Sequence, residues 1–362
     1  MNKSTLSDWL ERDPYSLAAK DKSVLLGEEI KKLTEWHYNN CNEYKNIVQT
    51  LGIAPENFLG LSDTPFLPVR LFKEFELRSV DISEVFKTMT SSGTTGQQVS
   101  KIYLDRETAA LQTKVLSKIM QKVIGKKRLP MLIVDTPNVI KNRDAFSARG
   151  AGILGFSMFG TDITYALYED MSLNINAVNT FLEKYVSKEI FLFGFTFMIW
   201  KYLVQELQQR NLQLNVANGV LLHGGGWKKM EDEAVDNDEF KRTLKKVCGV
   251  NTVLNYYGMV EQTGSIFTEC RCGYLHAPIY ADIIIRRAVD LTVAEIGEEG
   301  LIQTISMLPE SYPGHSLLTE DLGTLIGEDD CECGTLGKYF TVAGRIEQAE
   351  IRGCSDTHEQ VV

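Results

Sequence analysis

The stretch TMTSSGTTGQQVSK, residues 88–101, holds six consecutive hydroxyl or glycine residues from Ser91 to Gly96. Glycines let backbone N–H groups come close to an anion, and hydroxyls donate hydrogen bonds to its oxygens, so such a run could cradle phosphate. It is neither of the familiar phosphate loops, because it lacks a Gly-Lys-Ser/Thr ending and a Gly-x-Gly-x-x-Gly pattern. A flexible linker is a second reading, although linkers of this composition are expected to be longer. A hairpin tip is a third, since ISEVFK before the run and SKIYLD after it both have β character. Taken alone, the loop leaves these readings open.

The cysteines offer a different chemistry. Four of the seven fall in two tight pairs, Cys270 with Cys272 in ECRCGYLH and Cys331 with Cys333 in DDCECGTLG. Four thiolates could hold a tetrahedral, structural Zn2+ with no open position, and His276 is an alternative ligand. The spacing is tighter than the common Cys-x-x-Cys, and two pairs of unligated thiols in a reducing compartment is the other reading. Cys41, Cys248 and Cys354 stand alone.

These groups need a scaffold, and 362 residues suffice for one large domain or two ordinary ones. A net charge of -10 and a pI near 5.2 argue against nucleic acid or an anionic membrane as the main partner. The first residues carry no apolar signal, and no apolar run approaches the length of a membrane span, which points to the cytoplasm. Helical spacing of apolar residues predicts a helix over 22–50 and another over DRETAALQTKVLSKIMQKVIG, capped by Asp105 and ended near Gly125. LSDTPFLPVRLFKEFEL, with its prolines, predicts a packed loop with a short extended piece. LPMLIVDTP, EIFLFGF, NGVLLHGGGW and TVLNYYGMVE read as strands, and MIWKYLVQELQQRN as a helix between two of them. ADIIIRR, EGLIQTISM and KYFTVAGRI add β structure toward the C-terminus. Alternating strands and helices predict an α/β fold with no obvious linker, so one large domain with subdomains is expected.

Four further motifs follow the loop in order: LLHGGGW (221–227), NYYGMVE (255–261), LLTEDLG (317–323) and AGRIEQAEIRG (343–353). Each is weak alone, and each has a bland reading as a tight turn, a core aromatic pair or a surface carboxylate. In this order they resemble the adenylate-forming superfamily, which includes acyl-CoA ligases and luciferase-like enzymes. FLPVRLFK before the loop and RGCSD near the end are similar to a narrower group, the LuxE-type acyl-protein synthetases, relatives of phenylacetate-CoA ligases. The resemblance runs from about residue 60 to the end. It implies an α/β fold: the large N-terminal-type domain of adenylate-forming enzymes, with β-sheets flanked by helices and a β-rich C-terminal subdomain. Residues 1–85 would form a helical N-terminal part, 86–345 the adenylate-forming core, and 346–362 a mobile tail.

The resemblance also implies roles. Ser91, Ser92, Gly93, Thr94, Thr95 and Gly96 would hold the β- and γ-phosphates of ATP. Gly225, Gly226, Tyr256, Tyr257 and Gly258 would lie about the adenine, Glu261 would ligate Mg2+, Asp321 would accept from the ribose hydroxyls, and Arg345 would contact ribose or phosphate. A small fatty or aryl carboxylic acid would become an acyl-adenylate, and a cysteine near the C-terminus, here Cys354, would accept the acyl group as a thioester. Arg352 could lower its thiol pKa, and an extended chain from Arg345 spans at most about 30 Å. A partner acyl reductase would then collect the acyl group. Alternatives are a compact ligase that loads coenzyme A or an acyl carrier protein, and a catalytically silent scaffold that binds a carrier protein. Two departures bear on the choice. The first lysine after the loop, Lys101, comes late, and the chain ends seventeen residues after Arg345, without the usual C-terminal domain and its catalytic lysine. Lys228 and Lys229 are candidate substitutes, and His223 and FGFTFMIW are candidates to line the acyl pocket.

Overall fold

The structure, a computed structural model, describes residues 8–52, 58–91, 99–140 and 148–346, with only the backbone at 148, 228, 229 and 231. In chain order the strands are β1 (Leu67–Pro68), β2 (Lys87–Thr90), β3 (Lys101–Leu104), β4 (Leu129–Ile133), β5 (Gly160–Tyr165), β6 (Ile190–Phe195) and β7 (Gly219–Gly224). They continue as β8 (Thr252–Tyr257), β9 (Phe267–Glu269), β10 (Leu275–His276), β11 (Ala281–Arg286), β12 (Glu299–Ser306), β13 (Ser316–Glu328) and β14 (Lys338–Arg345). Two compact units emerge. One draws on the chain up to Ser91, on 99–119 and on Gly258 onward; the other is Met120–Tyr257. The core assigned to 86–345 therefore contributes to both.

The Met120–Tyr257 unit is a parallel sheet in the order β5-β4-β6-β7-β8. Its central strand, IFLFGF, is buried at every position, as a strand covered on both faces must be. Crossover helices have explicit ends. The Asn174 side chain accepts from Ala177 N–H at 3.1 Å to open Ile175–Lys184, and Asp236 accepts from Glu239 N–H at 2.8 Å to open Asn237–Cys248. The latter helix ends on Gly249, whose φ of 69° lies in the left-handed region. MIWKYLVQELQQRN is helical, with a π-helical stretch at Trp200–Gln205.

The other unit is antiparallel, in the order β11-β12-β13-β14-β10-β9, with β1 added in parallel to β13. The helix expected over 22–50 is two helices, Ala19–Asn40 and Asn42–Thr50, because Cys41 is extended (φ -133°, ψ 105°). Tyr44, Val48, Phe72, Ile102, Tyr312 and Leu317 share one apolar core that ties these helices to β3 and β13. Within this unit Lys22 is buried, its Nζ 3.2 Å from Asp282 Oδ1, while Lys338 Nζ lies 3.4 Å from Asp282 Oδ2. Burial would raise the Asp282 pKa, but the two ammonium groups hold it below the usual carboxylate value. Among the described residues no helix is long and apolar enough to cross a membrane.

Candidate active site

The hydroxyl–glycine run stands on a hairpin. β2 and β3 pair antiparallel from Lys87↔Leu104 to Thr90↔Lys101. The next pair closes the base of the loop: Ser91 N–H donates to Ser100 O at 3.1 Å, and Ser100 N–H donates to Ser91 Oγ at 2.9 Å. Ser92, Gly93, Thr94, Thr95 and Gly96 lie outside the described residues. Lys101 is exposed.

Ser100 leads to a carboxylate in the same unit. Glu261 sits in a one-turn 3-10 helix, Val260–Gln262, and is only 7% exposed. Burial raises its pKa, opposed by the Ser100 hydroxyl and by the charges of Lys73 and Arg345. The turn is held on every side. Gln262 Nε2 donates to Thr304 O at 3.1 Å and to Gly314 O at 2.8 Å, and Thr263 Oγ1 donates to Gln112 Oε1 at 2.6 Å. Gly264 has φ +89°, and a Cβ there would meet the Gln112 backbone at 2.7 Å. A Cβ on Gly314 would come within 2.8 Å of Glu261 O. Glycines at both positions let three backbone segments converge beneath the carboxylate. A buried, rigidly placed carboxylate with a raised pKa fits a divalent cation, which would restore the favourable environment that burial removes.

Asp321 and Arg345 face one another in register across β13 and β14, with Arg345 Nε 3.4 Å from Asp321 Oδ1. Asp321 N–H donates to Thr319 Oγ1 at 3.2 Å, while the Thr319 hydroxyl donates to Ile302 O at 2.8 Å. Arg345 is 45% exposed and Asp321 18%, so both have polar surface available for a ligand. Register shifts beside them, between Leu322 and Gly323, mark a bulge that re-aims the strand end.

In the parallel unit the predicted glycines lie where open α/β sheets bind ligands, past the carboxyl ends of strands. β7 ends at Gly224, followed by Gly225 (φ +76°) and Gly226, both exposed. Tyr256 on β8 pairs in register with Gly224, where a Cβ would strike the Tyr256 ring at 2.5 Å. Its ring also packs 5.0 Å from that of Phe156 and 6.3 Å from that of Phe193, so Tyr256 is half core aromatic and half surface. Tyr257 is half-buried, and Gly258, counted with the other unit, is exposed. His223 is buried with Nδ1 2.9 Å from Thr196 Oγ1, and burial first, then Lys241, depresses its pKa to about 3. It is a neutral ring at physiological pH.

Sequence reasoning missed two groups at the same strand ends. Asp135 follows β4 and Arg149 reaches it, Nε to Oδ2 at 3.2 Å, with both side chains no more than 2% exposed. Burial raises Asp135 to about 6 despite the guanidinium and the Thr136 N–H. An acid directly after a buried strand, LIVDTP, was the available signal. Lys73, within FLPVRLFK, acts on the Glu261 charge with no spacing signal that ties the two together.

The cysteine motifs also assemble, with one exchange. Cys270, His276, Cys331 and Cys333 place their ligand atoms within 4.8 Å of one another. Cys272 stands outside this group, and its N–H donates to Cys270 Sγ at 3.3 Å. His276 takes the fourth corner, since β10 brings it back to the turn that Cys270 opens. Burial and then Lys22 lower the His276 pKa to about 4, which leaves the ring neutral. Cys354 lies outside the described residues, as do the side chains of Lys228 and Lys229.

The fold is found in solved ligases. The fold matches 2-hydroxyisobutyryl-CoA ligase in the postadenylation state in complex with 2-HIB-AMP, with a TM-score of 0.70 at 13% identity, over 92% of this chain and 70% of that one. The same enzyme in the thioesterification state, with 2-HIB-AMP and CoA, gives 0.68 at 14% identity over the same shares. The fold is that of the adenylate-forming ligases. Within that class, the chain belongs to the LuxE acyl-protein synthetase family, whose sequence pattern matches residues 2–362. A Vibrio harveyi protein named long-chain-fatty-acid--luciferin-component ligase is 24% identical over 94% of this chain and 89% of its own length.

Proposed function

We propose that this protein activates a carboxylic acid with ATP and passes the acyl group to a thiol. Family membership supports the reaction class, and the name of the Vibrio harveyi relative makes long-chain fatty acids the first substrates to try. The observation that carries the reading is Glu261: a buried carboxylate on a braced turn, whose pKa burial raises against the influence of the Ser100 hydroxyl and the charges of Lys73 and Arg345. Mg2+ held there would neutralise phosphate charge. The substrate carboxylate attacks the α-phosphorus of ATP, the bond to the β-phosphate oxygen breaks, and pyrophosphate leaves. A thiolate then attacks the acyl carbonyl carbon, and AMP departs. Ser91 to Gly96 would donate to the β- and γ-phosphates, Asp321 would accept from the ribose hydroxyls, and Arg345 would touch ribose or phosphate. Adenine contacts fall to Gly225, Gly226, Tyr256, Tyr257 and Gly258. We assign the first acceptor thiol to Cys354 and the next to a partner acyl reductase.

The test combines three measurements. With ATP, Mg2+ and long-chain fatty acids, the protein is expected to release pyrophosphate. Intact mass should then show an acyl adduct on Cys354 that hydroxylamine removes. No pyrophosphate across a broad panel of acids would leave a ligase-like scaffold in place of an enzyme. Full-rate transfer to added coenzyme A or carrier protein by Cys354→Ser would make that acceptor, and not Cys354, the route.

A further inference from the structure

Two turns of the same design meet beside β10. In Cys270-Arg271-Cys272-Gly273 the Gly273 N–H donates to Cys270 O at 3.0 Å, and in Cys331-Glu332-Cys333-Gly334 the Gly334 N–H donates to Cys331 O at 2.9 Å. Both glycines are left-handed, with φ of 85° and 82°. Each turn also points a backbone N–H at a sulfur: Cys272 N–H donates to Cys270 Sγ at 3.3 Å, and Thr335 N–H donates to Cys333 Sγ at 3.4 Å. Such donors stabilise thiolates more than thiols. Arg271 of the first turn donates to Glu332 O of the second at 2.9 Å, which fixes the two against each other.

The sulfurs and the ring nitrogen stand at distances that suit an ion. A tetrahedral Zn2+ with bonds of about 2.3 Å to sulfur and about 2.0 Å to nitrogen separates two sulfurs by about 3.8 Å and sulfur from nitrogen by about 3.5 Å. Here Cys270 Sγ lies 3.9 Å from Cys331 Sγ, and Cys333 Sγ lies 3.4 Å from His276 Nε2. The His276 ring is kept in place by the Tyr339 ring, stacked at 5.5 Å and 21°.

We propose that Cys270, His276, Cys331 and Cys333 bind one zinc ion, with Cys272 left out of the coordination shell. Zn2+ displaces one proton from each of three thiols, and the neutral imidazole completes the shell, so the site carries one net negative charge. Four protein ligands leave no position for substrate, and the role is structural. The ion cross-links the β9–β10 turn to the β13–β14 connection, at the far end of the strand pair that carries Asp321 and Arg345. Metal binding of this kind is folding free energy, because the unfolded chain has no preformed site.

The site does not depend on the reaction proposed above, so its test reads metal and not activity. Reduced wild-type protein should carry one equivalent of zinc by elemental analysis. After exchange with Co2+ it should show the visible bands of tetrahedral cobalt and charge-transfer intensity for three thiolates. Cys272→Ser should keep the metal and this spectrum unchanged, whereas Cys333→Ser should lose metal or a third of the charge-transfer intensity. Should Cys333→Ser fail to fold, the wild-type and Cys272→Ser spectra still decide. Wild-type protein without zinc or a cobalt spectrum overturns the proposal, as does a metal-free Cys270–Cys331 disulfide. Loss of metal in Cys272→Ser with retention in His276→Ala overturns the ligand set.

Discussion

The Glu261 turn and the Asp321–Arg345 pair lie in the same unit and each offers a carboxylate, yet they are built on opposite plans. Around Glu261 the neighbouring polar groups are committed: Gln262 to two carbonyls, Thr263 to Gln112, and two glycines to close backbone approaches. Asp321 and Arg345 keep part of their surface in water and are separated by 3.4 Å, a geometry worth little to stability. The contrast separates two tasks. A buried carboxylate carries its cost of desolvation permanently and must be held still, which suits a fixed metal contact. A half-exposed ion pair can exchange partners, which suits a ligand that arrives and leaves.

Replacement of the Glu261 carboxylate tests the fixed side most severely. Glu261→Gln should lower the rate of pyrophosphate release by roughly 100- to 1000-fold, the scale of losing one preorganised electrostatic contact. Its melting temperature should not fall, since an uncharged amide escapes the burial cost. A variant with near wild-type rate would remove the metal role. Next in size, Gly264→Ala should cost about 2–4 kcal/mol in denaturant unfolding, from a positive φ and contact with the Gln112 backbone. An unchanged midpoint would show that the turn is softer than its geometry.

Acid provides a third test. His37 and His315 stack at 4.7 Å behind the Gly314 segment, with His37 Nδ1 2.7 Å from Ser79 Oγ and His315 Nε2 3.1 Å from Thr34 Oγ1. Burial lowers the His37 pKa to about 3 and takes His315 well below its usual value. Both rings are therefore neutral when folded and take up protons near 6.5 when unfolded. Their stability contribution is intact above that pH and is lost as pH falls toward the folded values. At pH 5 the loss from His37 is about 2 kcal/mol, and His315 adds to it in the same direction. Denaturation midpoints that stay level between pH 7 and pH 5 would contradict this. The smallest effect belongs to the exchangeable side. Arg345→Ala should change stability by less than about 0.5 kcal/mol yet raise the KM for ATP several-fold. A large fall in melting temperature there would erase the distinction between the two regions.

Much of the scaffold was legible in the sequence because burial imposes a pattern. LPMLIVDTP, EIFLFGF and NGVLLHGGGW are the central strands that the apolar runs predicted, and Asp105 caps the Arg106–Ile124 helix through Thr108 N–H at 2.7 Å. β13 was hidden: SLLTEDLGTLIGE looks like a motif in a turn, since two register shifts break its alternation. β5 went unread because GTDITY is mostly exposed and weakly apolar. Glu261, Asp321 and Arg345 were singled out through motif order, not through physics, since neither burial nor pairing can be read from an isolated acid. Asp135 with Arg149 depends on where strands end in space, which no spacing rule encodes, and the spacing that offered His276 as an alternative ligand could not choose it over Cys272.

The bond between Lys22 and Asp282 spans 260 residues of chain. At ribosomal speeds of about 5–20 residues per second, the lysine emerges roughly ten to fifty seconds before its carboxylate exists. During that interval the helices Ala19–Asn40 and Asn42–Thr50 lack both that counter-ion and β13, whose Leu317 completes their shared core, and part of their apolar surface stays open to any passing surface. Nascent chains released before Asp282 should therefore be captured by chaperones or aggregate, so yield in the cell will depend on the fidelity of elongation as much as on the finished fold.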